Sequence, residues 1–167
     1  MQFSISLSTT YHCSLERAFK TPMLCDVTKV HTGLGLMPKI IGVQDEQNWG
    51  QVGGSKKVIA AKSITFKGGV ASTDHVLERV ENKKWVIEVN DFTAWMLGFY
   101  SFVGTWETTE IAPGKIRIDY NYVLRTNQPV FYPLTWMFAR LFWKRYMHQV
   151  MDNIQKLIEN EEPYMYA

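Results

Sequence analysis

Cysteine is nearly absent from this chain: Cys13 and Cys25 are the only two. Two thiols build neither a disulfide framework nor a Cys-only zinc site, and their spacing fits no metal motif. Packed, reduced thiols and a cytoplasmic setting are the expectation. A dominant charge sign is lacking as well. Lys and Arg number 18 against 16 Asp and Glu, a net charge of +2 spread along the chain. Nucleic-acid binding needs clustered cations, so no nucleic-acid partner is expected. Long apolar runs are missing too. The longest uncharged stretch, Phe92 to Trp106, has 15 residues, short of the roughly 20 that a spanning helix requires. No transmembrane segment is expected, and Met1 to Ile5 show neither the basic nor the apolar part of a signal peptide. No internal repeat or low-complexity linker interrupts the 167 residues, which argues for a single domain over 1–167.

Aromatic side chains are plentiful. There are 9 Phe, 6 Trp and 8 Tyr, and 13 of these 23 fall in the stretches 92–106 and 131–146. Such density either fills an oversized core or lines an apolar cavity.

The hydrophobic periodicity orders the elements. Residues 3–11 alternate, with Phe3, Ile5 and Leu7 on one face, as in a half-buried strand. Ser14 is a capping residue for a short helix through Lys20. Thr21-Pro22 repeats the signal and predicts a second short helix near 22–28. Strands are predicted over 39–47, 55–66, 70–80, 85–92, 99–111 and 116–125. They are separated by turns at 49–54, 66–69, 81–84 and 112–115, where Gly and Pro recur. The alternation is cleanest over 116–125, where Ile116, Ile118, Tyr120, Tyr122 and Leu124 oppose Arg117, Asp119, Asn121 and Arg125. The sheet is therefore wet on one side. After Pro133 the period becomes helical, with Trp136, Trp143, Met147, Val150, Ile154 and Leu157 on one face of a helix over about 133–160. Glu159, Glu161 and Glu162 oppose the helix dipole and predict a frayed end. The segment 136–143 is apolar almost all round, and burial against 92–102 is expected to cover it.

This order resembles the helix-grip fold of the START, Bet v 1 and polyketide-cyclase-like superfamily (SRPBCC). The residues that carry the likeness are strand 3–11 running into Ser14–Lys20, the turn Gly50, Gly53, Gly54, Ser55 and Lys56, the paired segments 76–80 and 81–89, Gly104-Thr105-Trp106-Glu107 with its Pro113-Gly114 hairpin, and the terminal helix. The resemblance covers nearly the whole chain. It implies an α+β architecture in which a curved antiparallel sheet of six or seven strands wraps a long C-terminal helix, with two short helices after the first strand. It also implies an internal apolar cavity that binds or transports a hydrophobic small molecule or lipid. A filled core is the competing outcome, because interiors pack tightly by default.

The inward-facing positions then propose a ligand-binding lining of Trp85, Phe99, Trp106, Tyr120, Tyr122, Trp136, Trp143 and Met147. No catalytic constellation stands out. The Gly50–Lys57 turn lacks the spacing of a phosphate loop and precedes a strand. His12, His31, His75 and His148 form no metal-binding pair, and no metal or cofactor is expected. His31, in the Gly-rich connection, and Asp91, in phase with Trp85, Ile87 and Val89, are weak acid–base candidates. An exposed loop histidine and a turn-capping aspartate are the simpler readings. Parity turns Glu107 outward if Trp106 points in. Three functions remain open: a non-enzymatic binding or carrier protein, a cyclase or dehydratase acting on a hydrophobic, polyketide-like substrate, and an interaction module that docks segment 136–143 on a protein or membrane surface. A monomer is expected.

Overall fold

The computed structural model describes residues 2–64, 66–92, 100–126 and 132–166. Its elements are β1 (Gln2–His12), α1 (Leu15–Leu24), α2 (Val27–Val30), β2 (Ile40–Gln47), β3 (Ser55–Ala60), β4 (Gly69–Val80), β5 (Lys84–Asn90), β6 (Ser101–Ala112) and β7 (Lys115–Arg125), followed by one continuous helix. That helix runs as α3 (Tyr132–Phe138), a π turn (Ala139–Trp143) and α4 (Lys144–Glu159). Seven strands pair antiparallel in the order β1-β7-β6-β5-β4-β3-β2. Among the described residues, β1 with β7 is the one strand pairing distant in sequence, and it runs in register along both full strands. The α+β helix-grip architecture expected from the sequence is present.

The period-2 pattern sorts each strand into two faces. On β7, Ile116, Ile118, Tyr122 and Leu124 are buried, while Lys115 and Arg117 are exposed. The inner face packs against α4, whose Tyr146, Met147, Val150, Met151, Ile154, Leu157 and Ile158 form the facing stripe. Tyr11 on β1 ties the two layers directly, its hydroxyl donating to the Met151 carbonyl at 2.8 Å.

The start of the helical layer departs from the expectation. Ser14 caps α1 as read from the sequence, accepting from the Arg17 amide at 3.2 Å. Pro22, however, lies inside α1 and does not open a second helix. Asp26 caps the short α2, with its Oδ1 accepting from the Thr28 amide at 2.9 Å. A proline within a helix has no N–H for the carbonyl four residues back, here that of Ala18. The Trp106 indole Nε1–H takes that place, donating to the Ala18 carbonyl at 3.2 Å. Two more indoles follow along α1. Trp85 donates to the Phe19 carbonyl at 2.9 Å while its ring stacks on Phe19, and Trp49 donates to the Met23 carbonyl at 2.7 Å.

The chain end is also more ordered than the charge argument predicts. The Glu162 carbonyl accepts from Arg17 at 2.7 Å, the Glu162 carboxylate pairs with Lys29 at 2.7 Å, and the Met165 amide donates to the Leu24 carbonyl at 2.8 Å. Cations from the opposite end of the fold therefore offset the acidic terminus, which sequence order alone does not reveal.

A third departure concerns segment 136–143. Its inner residues Ala139 and Trp143 are buried, but Trp136, Met137, Leu141 and Phe142 face outward and are 42–60% exposed. The expected cover, 92–102, falls largely on residues that are not described. Residues 93–99 lie outside the described residues.

The Pro22 arrangement sets unequal values on two chemically equal indole bonds. Position 23 has an amide N–H in helical phase with the Phe19 carbonyl, whereas Pro22 offers none to the Ala18 carbonyl, which Trp106 serves instead. Trp106→Phe is therefore expected to cost about 2–3 kcal/mol and Trp85→Phe about 1 kcal/mol, because stranding a buried acceptor costs more than losing one of two bonds. Urea unfolding midpoints of the two variants measure the difference. Equal losses would remove the special role given to Pro22.

Candidate active site: a small apolar cavity with buried ionisable groups

The inner face of the sheet and the helical layer do not meet everywhere. A cavity of about 160 Å³ remains between them. Its far wall is β7 and β6 through Tyr120, Tyr122 and Phe102, and its floor is Ile87 and Val89 of β5. The helix contributes Trp143, Tyr146, Met147, Val150 and Ile154. Pro22 and Met23 at the end of α1, with Val27 and Val30 of α2, close one side. Trp49, Lys56, Val58, Ser72 and Asp74 close the other.

Backbone constraints hold parts of this wall. Gly104 on β6 lies opposite Tyr122, and a Cβ there would sit 3.1 Å from the Tyr120 ring and hydroxyl and 3.4 Å from the Tyr122 ring. The missing side chain lets the two tyrosines pack at a 4.2 Å centroid separation over the strand. Gly54 approaches the Asn48 carbonyl so closely that no Cβ fits, which closes the turn that carries Trp49.

The residues proposed from the sequence divide into groups. Tyr120, Tyr122, Trp143 and Met147 come together on the cavity wall. The Tyr122 hydroxyl points at Met147 Sδ, 3.3 Å away, and the Tyr122 and Trp143 rings meet edge to face at 5.8 Å. Trp85 and Trp106 are fully buried but sit beneath α1, outside the cavity lining, because their indoles are committed to helix carbonyls. Trp136 points outward. Phe99 lies outside the described residues. Asp91 is exposed at a left-handed turn, with φ 56°, and its Oδ2 accepts from Thr73 at 3.0 Å. The turn, not the cavity, claims its carboxylate. His31 is not an exposed loop histidine. It ends α2, lines the cavity and holds the Tyr146 hydroxyl at 2.8 Å through Nδ1.

The principal polar groups of the wall escaped the sequence reading. Lys56 is only 3% exposed. It shares the inward face of β3 with Val58 and Ala60, and strand parity is the signal that could have found it. Its ammonium lies 3.7 Å from the centroid of the Trp49 ring. Asp74 stands opposite Lys56 in the β3–β4 register and accepts from Ser72 Oγ at 3.0 Å.

Burial governs the proton affinities here. It lowers Lys56 to about 8, against the opposing pull of Asp74, Glu46 and Asp26. It raises Asp74 above the ordinary carboxyl range, even though Lys56 and Ser72 favour the ionised form. His31 falls to about 4 through burial and the nearby Lys56 cation, so it is a neutral hydrogen-bonding group near pH 7. Tyr120 is pushed up to about 12, and Tyr122 and Tyr146 are raised as well, all mainly by burial. The tyrosines are hydrogen-bond donors and not bases. Lys56 and Asp74 are thus the cavity groups suited to moving or stabilising charge. Among the described residues no cluster of His, Cys, Asp and Glu could hold a metal ion.

The Lys56 shift has a measurable consequence. Its folded value, about 8, lies below the ordinary lysine value of 10.5, so above pH 8 the unfolded chain binds more protons and stability rises with pH. The gain from pH 8 to 9.5 is expected to be about 2 kcal/mol in the wild type and absent in Lys56→Met. Urea midpoints at the two pH values test it. The same rise in both proteins would assign the effect elsewhere.

Sequence comparison matches residues 25–159 to the family described as polyketide cyclase / dehydrase and lipid transport. No curated protein matches the chain. Among solved structures, a norcoclaurine synthase point mutant from Thalictrum flavum, bound to a transition-state analogue, superposes with a TM-score of 0.70 at 12% identity over 98% of both chains. Ara h 8.0201 matches at 0.69 and 15% identity over 96% of this chain and 99% of its own. A Staphylococcus aureus protein of unknown function matches at 0.68 and 13% identity over 96% of both. At these identities the likeness is one of fold.

Proposed function

The chain belongs to the polyketide cyclase / dehydrase and lipid transport family, and we propose that it binds a compact hydrophobic molecule in the cavity and performs acid–base chemistry on it, of the cyclase or dehydratase kind. The observation that carries this reading is the pair of ionisable residues, Lys56 and Asp74, on the wall of an otherwise apolar cavity. A carrier of apolar cargo gains nothing from a buried cation and a half-buried carboxyl, which cost folding free energy. An enzyme gains tuned proton affinities. Size narrows the substrate. A volume of about 160 Å³ is comparable to engineered cavities of about 150 Å³ that hold one benzene, so a ring suits it better than an acyl chain. Norcoclaurine synthase, which shares the fold, has been seen with dopamine and hydroxybenzaldehyde, both single-ring compounds.

In this mechanism Asp74 removes a proton from carbon next to a substrate carbonyl. The C–H electron pair moves onto the carbonyl carbon–carbon bond, and the carbonyl π pair moves to oxygen. The Lys56 ammonium stabilises the resulting enolate oxygen, with Tyr120 as a further hydrogen-bond donor. Single-ring ketones such as acetophenone, incubated in D2O, should exchange their α-hydrogens faster with the protein than in buffer, as read by proton NMR. Asp74→Asn should slow the exchange about 100-fold or more. Exchange at the buffer rate for every ketone shown to bind would overturn the enzymatic reading and leave carriage.

A second reading rests on a separate observation. The exposed Trp136, Met137, Leu141 and Phe142 lie beside the exposed Arg140, Lys144 and Arg145, with the Arg140 guanidinium 4.8 Å from the Trp136 ring. From Tyr120 to Met151 the sequence holds no Asp or Glu. Apolar and cationic side chains on one helix face suit an anionic membrane surface. The protein should therefore co-sediment with phosphatidylserine-containing vesicles, and Trp136→Glu with Leu141→Glu should release it. Equal sedimentation of wild type and double variant would remove this reading.

A further inference from the structure

The Lys56 ammonium has three N–H donors. Among the described residues it makes no hydrogen bond and no ion pair, and it lies over two rings, 3.7 Å from the Trp49 centroid and 5.6 Å from that of Tyr166. Asp74, directly across the β3–β4 register, engages Ser72 Oγ instead and forms no ion pair with Lys56 within 4.0 Å. Glu46 and Asp26 act on Lys56 through charge alone. The side chain is 3% exposed and lines the cavity. Among the described residues no acceptor reaches the ammonium, and the cavity it faces is where a bound molecule can supply one.

The geometry points to a substrate that is a single-ring carboxylic acid, bound as its carboxylate with the oxygens on the Lys56 ammonium and the ring between Ile87, Phe102, Tyr122 and Met147. This rests on the reading that the cavity is the substrate site, and it adds the charge and functional group: the carboxylate takes two of the three Lys56 N–H donors and leaves the third, with Tyr120, for the enolate oxygen. A carboxylate supplies what no side chain of the wall gives the Lys56 ammonium: a negative charge whose lone pairs meet its N–H donors directly. A phenol of the same outline is neutral near pH 7, and a hydrocarbon ring leaves the ammonium donors unused.

Isothermal titration of the full chain near pH 7 with benzoate and phenylacetate, set against benzyl alcohol, phenol and toluene, tests the assignment. The acids should bind at least about tenfold more tightly than their neutral counterparts, the scale of a charge-assisted hydrogen bond. Lys56→Met should abolish that preference while retaining the neutral compounds. Lys56→Gln serves as a second variant if the first is poorly folded, and the wild-type comparison stands without either. Equal binding of acids and neutral compounds by the wild type, or a preference that survives both substitutions, would overturn the carboxylate assignment and leave the cavity reading intact. Binding of neither class would overturn both.

Discussion

Three indole N–H groups on the carbonyls of a ten-residue helix hold this structure together. Trp106, Trp85 and Trp49 come from β6, β5 and the β2–β3 turn, and they bond Ala18, Phe19 and Met23 in succession. Each indole brings a large apolar face and one donor, so it buries area and satisfies a helix carbonyl at the same time. Pro22 makes one of these bonds necessary, because it removes the amide that Ala18 would otherwise use. The C-terminal tail completes the anchoring by donating to the Leu24 carbonyl. With α1 fixed from both sides, Pro22 and Met23 at its end stand at the edge of the cavity and do not settle into it.

Trp49 joins this scaffold to the chemistry. Its edge donates to α1 while its face carries the Lys56 ammonium. The seat of the buried cation is therefore set by the same contact that positions the helix. A ring face stabilises a cation without supplying a hydrogen-bond acceptor. This leaves the charge directed at the cavity but only partly compensated. Asp74 faces the same space from the next strand, and burial raises its proton affinity as it lowers that of Lys56. Both shifts bring the groups closer to neutral pH, the range in which proton transfer between protein and substrate is most effective.

The long helix serves two surfaces. Its inner side closes the cavity with Trp143, Tyr146 and Met147, and the π turn over Ala139–Trp143 leads into that wall. One extra residue in a helical turn changes which side chains face in. Ala139 and Trp143 are buried there while Leu141 and Phe142 are exposed, with Phe142 stacked on Phe138 at 5.7 Å. The apolar outer face and the cavity wall are thus opposite sides of the same turns.

The succession of strands and helices along the chain, the position of the long helix and the wet and dry faces were legible in the sequence, because each is written in local periodicity, whereas the pairing of β1 with β7 is not. The alternation of Ile116 to Leu124 and the helical spacing of Trp143, Met147, Val150 and Ile154 need no tertiary information. Four of the lining residues, Tyr120, Tyr122, Trp143 and Met147, followed from the same patterns. The role of each remaining aromatic depended on what its polar edge could reach. Trp85 and Trp106 share the inward phase with cavity residues, and only the placement of α1 beneath their indoles takes them out of the lining. Asp91 had the inward phase too, but a left-handed turn swung it to the surface. Lys56 is the reverse case. Its phase with Val58 and Ala60 marked it as inward, but a lysine is ordinarily a surface residue, and only the register with Asp74 and the Trp49 ring accounts for its burial. Local sequence determines which way a side chain points, because that follows from the backbone period. Whether it meets a carbonyl, a ring or empty space is decided by residues distant in the chain, and only the tertiary structure brings those together.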